Sequence, residues 1–158
     1  MIEELVKLKG RVSMVLTGPD GEIKDTRDID NLVVLTGREF IASRMKDATA
    51  TVMSHMAVGT TNTAPAAGNT NLAAEITSPA SRTALTSTTV TSNSIAYVCT
   101  FNPGVGTGAL VEAGIFNYGT YTATPSAAQI LLCRTVFSVI NKAAADTLTI
   151  TWTVTINP

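Results

Sequence analysis

The chain has 158 residues, 45% of them hydrophobic, and a net charge of −1. That is enough chain and enough apolar content for one domain with a substantial core, which excludes a mainly disordered protein. The near-zero charge gives no electrostatic footprint for nucleic acid or for an anionic membrane surface, and no apolar run approaches the roughly 20 residues that cross a bilayer.

The first segment, MIEELVKLKGRV, carries acids and no uninterrupted apolar stretch, so no signal peptide is expected. Two cysteines make no disulfide framework, and folding in a reducing cytoplasm is expected. Residues 9–17 and 22–34 are predicted strands. Pro19-Asp20-Gly21 between them is a turn signal, because Pro presets φ and Gly accepts positive φ. Thr36-Gly37-Arg38-Glu39 fits a capping box, and predicts a helix over 37–46 with Phe40, Ile41 and Met45 on its apolar face.

Beyond residue 50 the pattern predicts strands at 52–59, 82–91, 94–101, 109–117, 129–140 and 147–156. The last is the clearest. In TLTITWTVTI five threonines alternate with Leu148, Ile150, Trp152, Val154 and Ile156, which specifies one polar and one buried face. Ile95, Tyr97, Cys99 and Phe101 line one side of a second strand, and Leu131, Cys133, Phe137 and Val139 one side of a third. About eight strands separated by turn signals predict a mainly β protein, a jelly-roll-like β-sandwich with an N-terminal hairpin and one short helix. Residues 1–50 form the hairpin-plus-helix part and a docking segment, 51–158 the β core, in one integrated domain.

Charge is unevenly placed. Residues 1–47 hold 17 of the 23 charged side chains, while residues 48–158 hold six charges and 23 threonines. A neutral surface of Thr, Ser, Asn and Ala loses little side-chain entropy on contact, which suits a protein packed against copies of itself or a partner. The stretch 59–76, GTTNTAPAAGNTNLAAEI, is read as an ordered connection on such a surface.

Chemistry is sparse. His55 stands alone, without the further ligands of a catalytic zinc or the partners of a triad, and reads as a satisfied structural histidine. Cys99 and Cys133 fall on apolar parity and read as buried thiols. PGVGTG at 103–108 leads into a strand-like run, not a helix, and so lacks the context of a phosphate loop. Asp28-Ile29-Asp30-Asn31 lacks the Gly and distal Glu of a calcium loop. No cofactor, metal or catalytic site is expected. The isolated charges Glu75, Arg82, Glu112 and Arg134 sit among apolar neighbours and need partners if buried. Glu112 with Arg134, on adjacent strands, is the first pairing, Arg82 with Glu75 the local one; pairing across a subunit boundary is the other arrangement.

MAVGTTNTAPAAGNTNLAAE, SRTALTS, LVEAGIFN, LLCRTVF and INKAAADTLTITWTVTI, in this order and spacing, resemble a group of small tailed-bacteriophage structural proteins over residues 56–156. The resemblance implies a virion protein assembled in the host cytoplasm. One placement is a capsid decoration, or cement, protein that clamps the major capsid protein on the outer shell as a homotrimer. The other is a tail, tail-fibre or baseplate component. The absence of heptads, of a long glycine-rich shaft and of abundant aromatics (5%) favours decoration over fibre. In that placement Lys9, Arg11, Lys24, Arg27, Asp28 and Asp30 are the candidate capsid contacts. A carbohydrate-binding β-sandwich is the alternative of another class.

Overall fold

A computed structural model describes residues 6–46, 49–79 and 82–157. The protein is mainly β, as its periodicities indicate. The elements run β1 (Lys7–Thr17), β2 (Ile23–Val33), α1 (Leu35–Ser43), β3 (His55–Gly59), β4 (Thr83–Ala84), β5 (Ser87–Thr91), β6 (Ser94–Phe101), β7 (Gly108–Phe116), β8 (Leu131–Lys142) and β9 (Thr147–Asn157).

The strands do not separate into the two sheets of a sandwich. They form one nine-stranded antiparallel sheet, β4-β3-β7-β8-β2-β1-β9-β6-β5, curled into a half-barrel. The β2–β8 seam is narrow, with only Leu32↔Arg134 and Val33↔Cys133 paired. The two edges, β4 and β5, are neighbours in sequence, separated only by Leu85 and Thr86. Leu85 N–H donates to Ser54 O on the β3 side and Thr86 N–H to Val98 O on the β6 side. The curl is therefore fixed by one short segment that belongs to both edges.

Period-2 patterning sets which face is inside. In β1, Val12, Met14 and Leu16 are buried while Lys9, Arg11 and Ser13 are exposed. β1 is hydrogen-bonded to β9 along its whole length, from Lys7↔Asn157 to Thr17↔Thr147. The hairpin is thus an interior part of the sheet, and removing it would uncover β9. In β9, Leu148, Ile150, Trp152 and Val154 are buried opposite Phe101, Cys99, Tyr97 and Ile95 of β6. Each such aliphatic or aromatic side chain contributes roughly 1.5–3 kcal/mol on burial.

Three local expectations are corrected. The helix runs over Leu35–Ser43, not 37–46, which leaves Met45 beyond its end and exposed, and it is not held by a capping box. Val34 is its N-cap and no side chain caps it. Thr36 instead donates its hydroxyl to Leu131 O at 2.9 Å. Val34 N–H goes to Leu132 O and Leu35 N–H to Ala67 O, so β8 and the 60–76 loop anchor the helix start by backbone hydrogen bonds. Gly37 lies so close to the Leu132 carbonyl that a Cβ there would overlap it, which fixes how tightly the helix seats on β8.

Val139 is exposed, not inward. Between Leu110↔Ile140 and Glu112↔Val136 the register shifts, three β8 residues facing one of β7. This bulge breaks the alternation, so Ile140 and Lys142 turn inward and Val139 outward. Ile156, grouped by alternation with the core of β9, is 42% exposed, because the sheet opens at that end.

Candidate functional site

The 60–76 loop lies over the outer face of β7 and β8, and two buried ion pairs hold it there. Arg134 on β8 is 1% exposed and Glu112 on β7 is fully buried. Arg134 Nε and Nη2 both donate to Glu112 Oε2, at 3.1 and 2.7 Å. Its other donors go to the loop: Nη2 to Thr63 O (2.9 Å), Nη1 to Ala64 O (3.3 Å) and to Asn69 Oδ1 (3.0 Å). All five guanidinium N–H groups are engaged. Glu112 in turn accepts Ala73 N–H at 3.0 Å and Ala74 N–H at 2.7 Å. A buried charge is tolerable only when paired and hydrogen-bonded to this degree. Most of the bonds that make it tolerable come from loop backbone, so the pair and the loop order each other.

The second pair sits at the loop's outgoing leg. Arg82 donates from Nε and Nη2 to the two oxygens of Glu75, both at 2.9 Å, the parallel fork that carboxylate geometry favours. Both side chains are wholly buried. Nη2 also meets Asn71 Oδ1 at 3.1 Å, and the guanidinium lies 3.5 Å from the Phe116 ring centroid and 4.2 Å from that of Tyr118. Burial pushes the Glu75 carboxyl up from its ordinary value, and Arg82 pulls it back.

The legs of the loop are zipped to each other. Gly59 bridges Glu75, Thr60 N–H donates to Ala74 O, and Ile76 N–H to Val58 O. A side chain at Gly59 would fall on Glu112 Oε1 and Ala74 O, so the close approach of leg, pair and strand requires glycine. Only Leu72 of the loop is buried. Thr60, Asn62, Thr63, Ala64, Ala66, Ala67 and Thr70 face outward, giving a fixed, uncharged surface of short side chains.

The six candidate shell-contact residues do not form one face. Arg11 pairs across the hairpin with Asp30 in register and makes an ion pair with Asp28, one diagonal along. Lys9, Arg11, Asp28 and Asp30 share the outer face. Arg27 lies opposite buried Met14, on the inner parity, and pairs with Asp25. Lys24 Nζ is drawn to the β8–β9 turn, 3.0 and 2.8 Å from the two oxygens of Asp146. Sequence reasoning missed this bond, and no local signal marks it, since 122 residues separate the partners.

His55 is half-buried on β3, with Nδ1 2.8 Å from Ser54 Oγ. Burial, and then the Arg82 charge, push its pKa down, so the neutral ring is favoured. Cys99 and Cys133 are free and buried; burial pushes Cys99 up to about 12 and raises Cys133 as well. Among the described residues no three His, Cys, Asp or Glu side chains gather as a metal site. Comparison with protein-family models, with curated proteins and with solved structures finds no match.

Proposed function

We propose that this protein is a non-enzymatic structural protein of a tailed-bacteriophage virion, a decoration protein that binds the assembled shell of major capsid protein as a homotrimer. The observation that carries the reading is the neutral loop surface of residues 60–76. Two buried Arg–carboxylate pairs, an expensive device, hold in place a surface with no charge and no visible ligand chemistry. Such a surface is pre-organised for protein contact, because its ordering cost is met within the fold and not at binding. The sequence resemblance of residues 56–156 supplies the virion context.

The mechanism is mass action. A protein that binds the mature shell and not its dissociated form stabilises the shell by its binding free energy, and many sites add modest contributions. Lys9, Arg11, Asp28 and Asp30, together on the outer face of the hairpin, supply polar contacts beside the neutral loop. The test is to mix the purified protein with expanded, undecorated shells and image them by cryo-electron microscopy. Density at local threefold positions is expected. Bare shells, with binding to purified tail or baseplate proteins, would move the protein to the tail.

A further inference from the structure

Among the described residues, the half-barrel is open where β1 begins and β9 ends. An apolar groove of about 900 Å³ lies there between α1 and the sheet, walled by Leu8, Phe40, Ile41, Met53, Tyr97 and Ile156. Its rim is apolar: Val6 and Val52 are each 66% exposed and Met45 is 89% exposed. Patches of this kind mark contacts with another macromolecule. Among the described residues, the charged ones lining the groove are Arg38 and Arg44. Arg38 donates to Val33 O; Arg44 donates to Ala50 O and lies over the Phe40 ring. Neither meets a carboxylate among the described residues.

The opposite end of β1 has the complementary character. The hairpin turn carries Asp20 and Glu22, neither in an ion pair among the described residues, and beside them Ile23 is 62% exposed. An acidic tip with one bare apolar side chain matches a basic-rimmed apolar groove. The two cannot meet within one chain. The tip adjoins the Thr17↔Thr147 end of the β1–β9 ladder and the groove the Lys7↔Asn157 end. That is the full length of an 11-residue strand, roughly 35 Å.

We infer that the groove receives the β1–β2 hairpin tip of a second copy of this chain, with Ile23 against the apolar wall and Asp20 and Glu22 against Arg38 and Arg44. The contact is head-to-tail, and such contacts either close into a ring or run on as a filament. The inference rests on the homotrimer part of the proposed function and supplies its interface; it does not need the shell.

Sedimentation velocity on the full chain tests it. The tip variant Ile23→Lys and the groove double variant Arg38→Glu/Arg44→Glu are each expected to be monomeric. Mixed one to one, they are expected to form a dimer and nothing larger, because the mixture retains one intact tip and one intact groove per pair. Adding Asp20→Lys/Glu22→Lys to the groove variant is expected to restore the wild-type assembly, which separates lost contact from lost folding. A monomeric wild type would remove both the homotrimer and this interface. A wild-type oligomer that survives both variants, or a mixture that stays monomeric, would overturn the interface and leave the homotrimer standing.

Discussion

Arg134 lies one diagonal from Glu112 on the β7–β8 ladder, Arg134 opposite Gly114 and Glu112 opposite Val136. From there its guanidinium bonds Glu112 Oε2 while reaching Thr63, Ala64 and Asn69 of the covering loop. Strand, counter-charge and loop are thus one unit.

Glu112→Ala leaves Arg134 charged and buried without its counter-ion, and strips two loop N–H groups of their acceptor. A loss of about 3–5 kcal/mol is expected from urea unfolding. Residues 60–72 of the folded variant should become sensitive to subtilisin. Replacing both partners, Glu112→Leu with Arg134→Met, is expected to recover part of the stability and not the protease resistance, since no apolar pair can bond the loop backbone. A loop that stays resistant in either variant would show that the pair does not order it.

The β8 bulge reverses the burial order that simple alternation implies. Ile140→Ala is expected to cost about 2–5 kcal/mol, the range for emptying a buried aliphatic site. Val139→Thr is expected to change stability by no more than about 0.5 kcal/mol, as for an exposed position. Thermal or urea midpoints of the two variants check this, and comparable losses at both positions would place the bulge elsewhere.

Cys99 and Cys133 are both fully buried, with thiol pKa values raised by burial. Thiolate is the reactive form, so neither should react with an aromatic disulfide reagent at neutral pH in the folded protein. Both should react once denaturant is added. Fast labelling of the native protein at either site would show a core more open than the fold implies.

Acid sensitivity should localise in part to Asp146. Its pKa is held below the ordinary 3.8, first by the hydrogen bond from Lys24, then by Ala143 N–H. A depressed folded-state pKa contributes stability that is fully present above 3.8 and lost as pH falls through the lower folded value. Asp146→Asn is therefore expected to be less stable than wild type at neutral pH, with the gap closing as pH drops below 3.8. Urea midpoints against pH measure the gap; one that is independent of pH would mean that the carboxylate charge is not what matters.

Much of the candidate site could be read from local pattern. A lone Glu in LVEAGIF and a lone Arg in LLCRTVF, each among apolar neighbours, had to be partnered if buried, and adjacent strands made the pairing natural. What these charges do beyond pairing was not legible. Apart from one to the Asn69 side chain, their remaining bonds go to backbone 38 to 71 residues away, and a backbone amide carries no sequence signature. The Arg82 stack on Phe116 and Tyr118 was hidden for the same reason.

The amino-acid sequence by itself determined most of the strands, because a period of two and a turn residue act over a few neighbours; the exception is the strand expected over 82–91, which is two, Thr83–Ala84 and Ser87–Thr91, on opposite edges of the sheet. Ser94–Phe101 was bounded to the residue, and Thr147–Asn157 to within one. Tertiary structure alone decided what those strands became. One curled sheet, not two facing ones, follows from β2 reaching β8 through two residue pairs and from Leu85 and Thr86 tying the two edges. It also decided the helix start, which Leu132 and Ala67 carbonyls anchor without the expected cap, and the outward turn of Val139 at the bulge. At the helix start and at the tied edges, long-range backbone hydrogen bonds outweighed a local preference worth about 1 kcal/mol or less, because a buried N–H left without its acceptor costs more than that preference supplies.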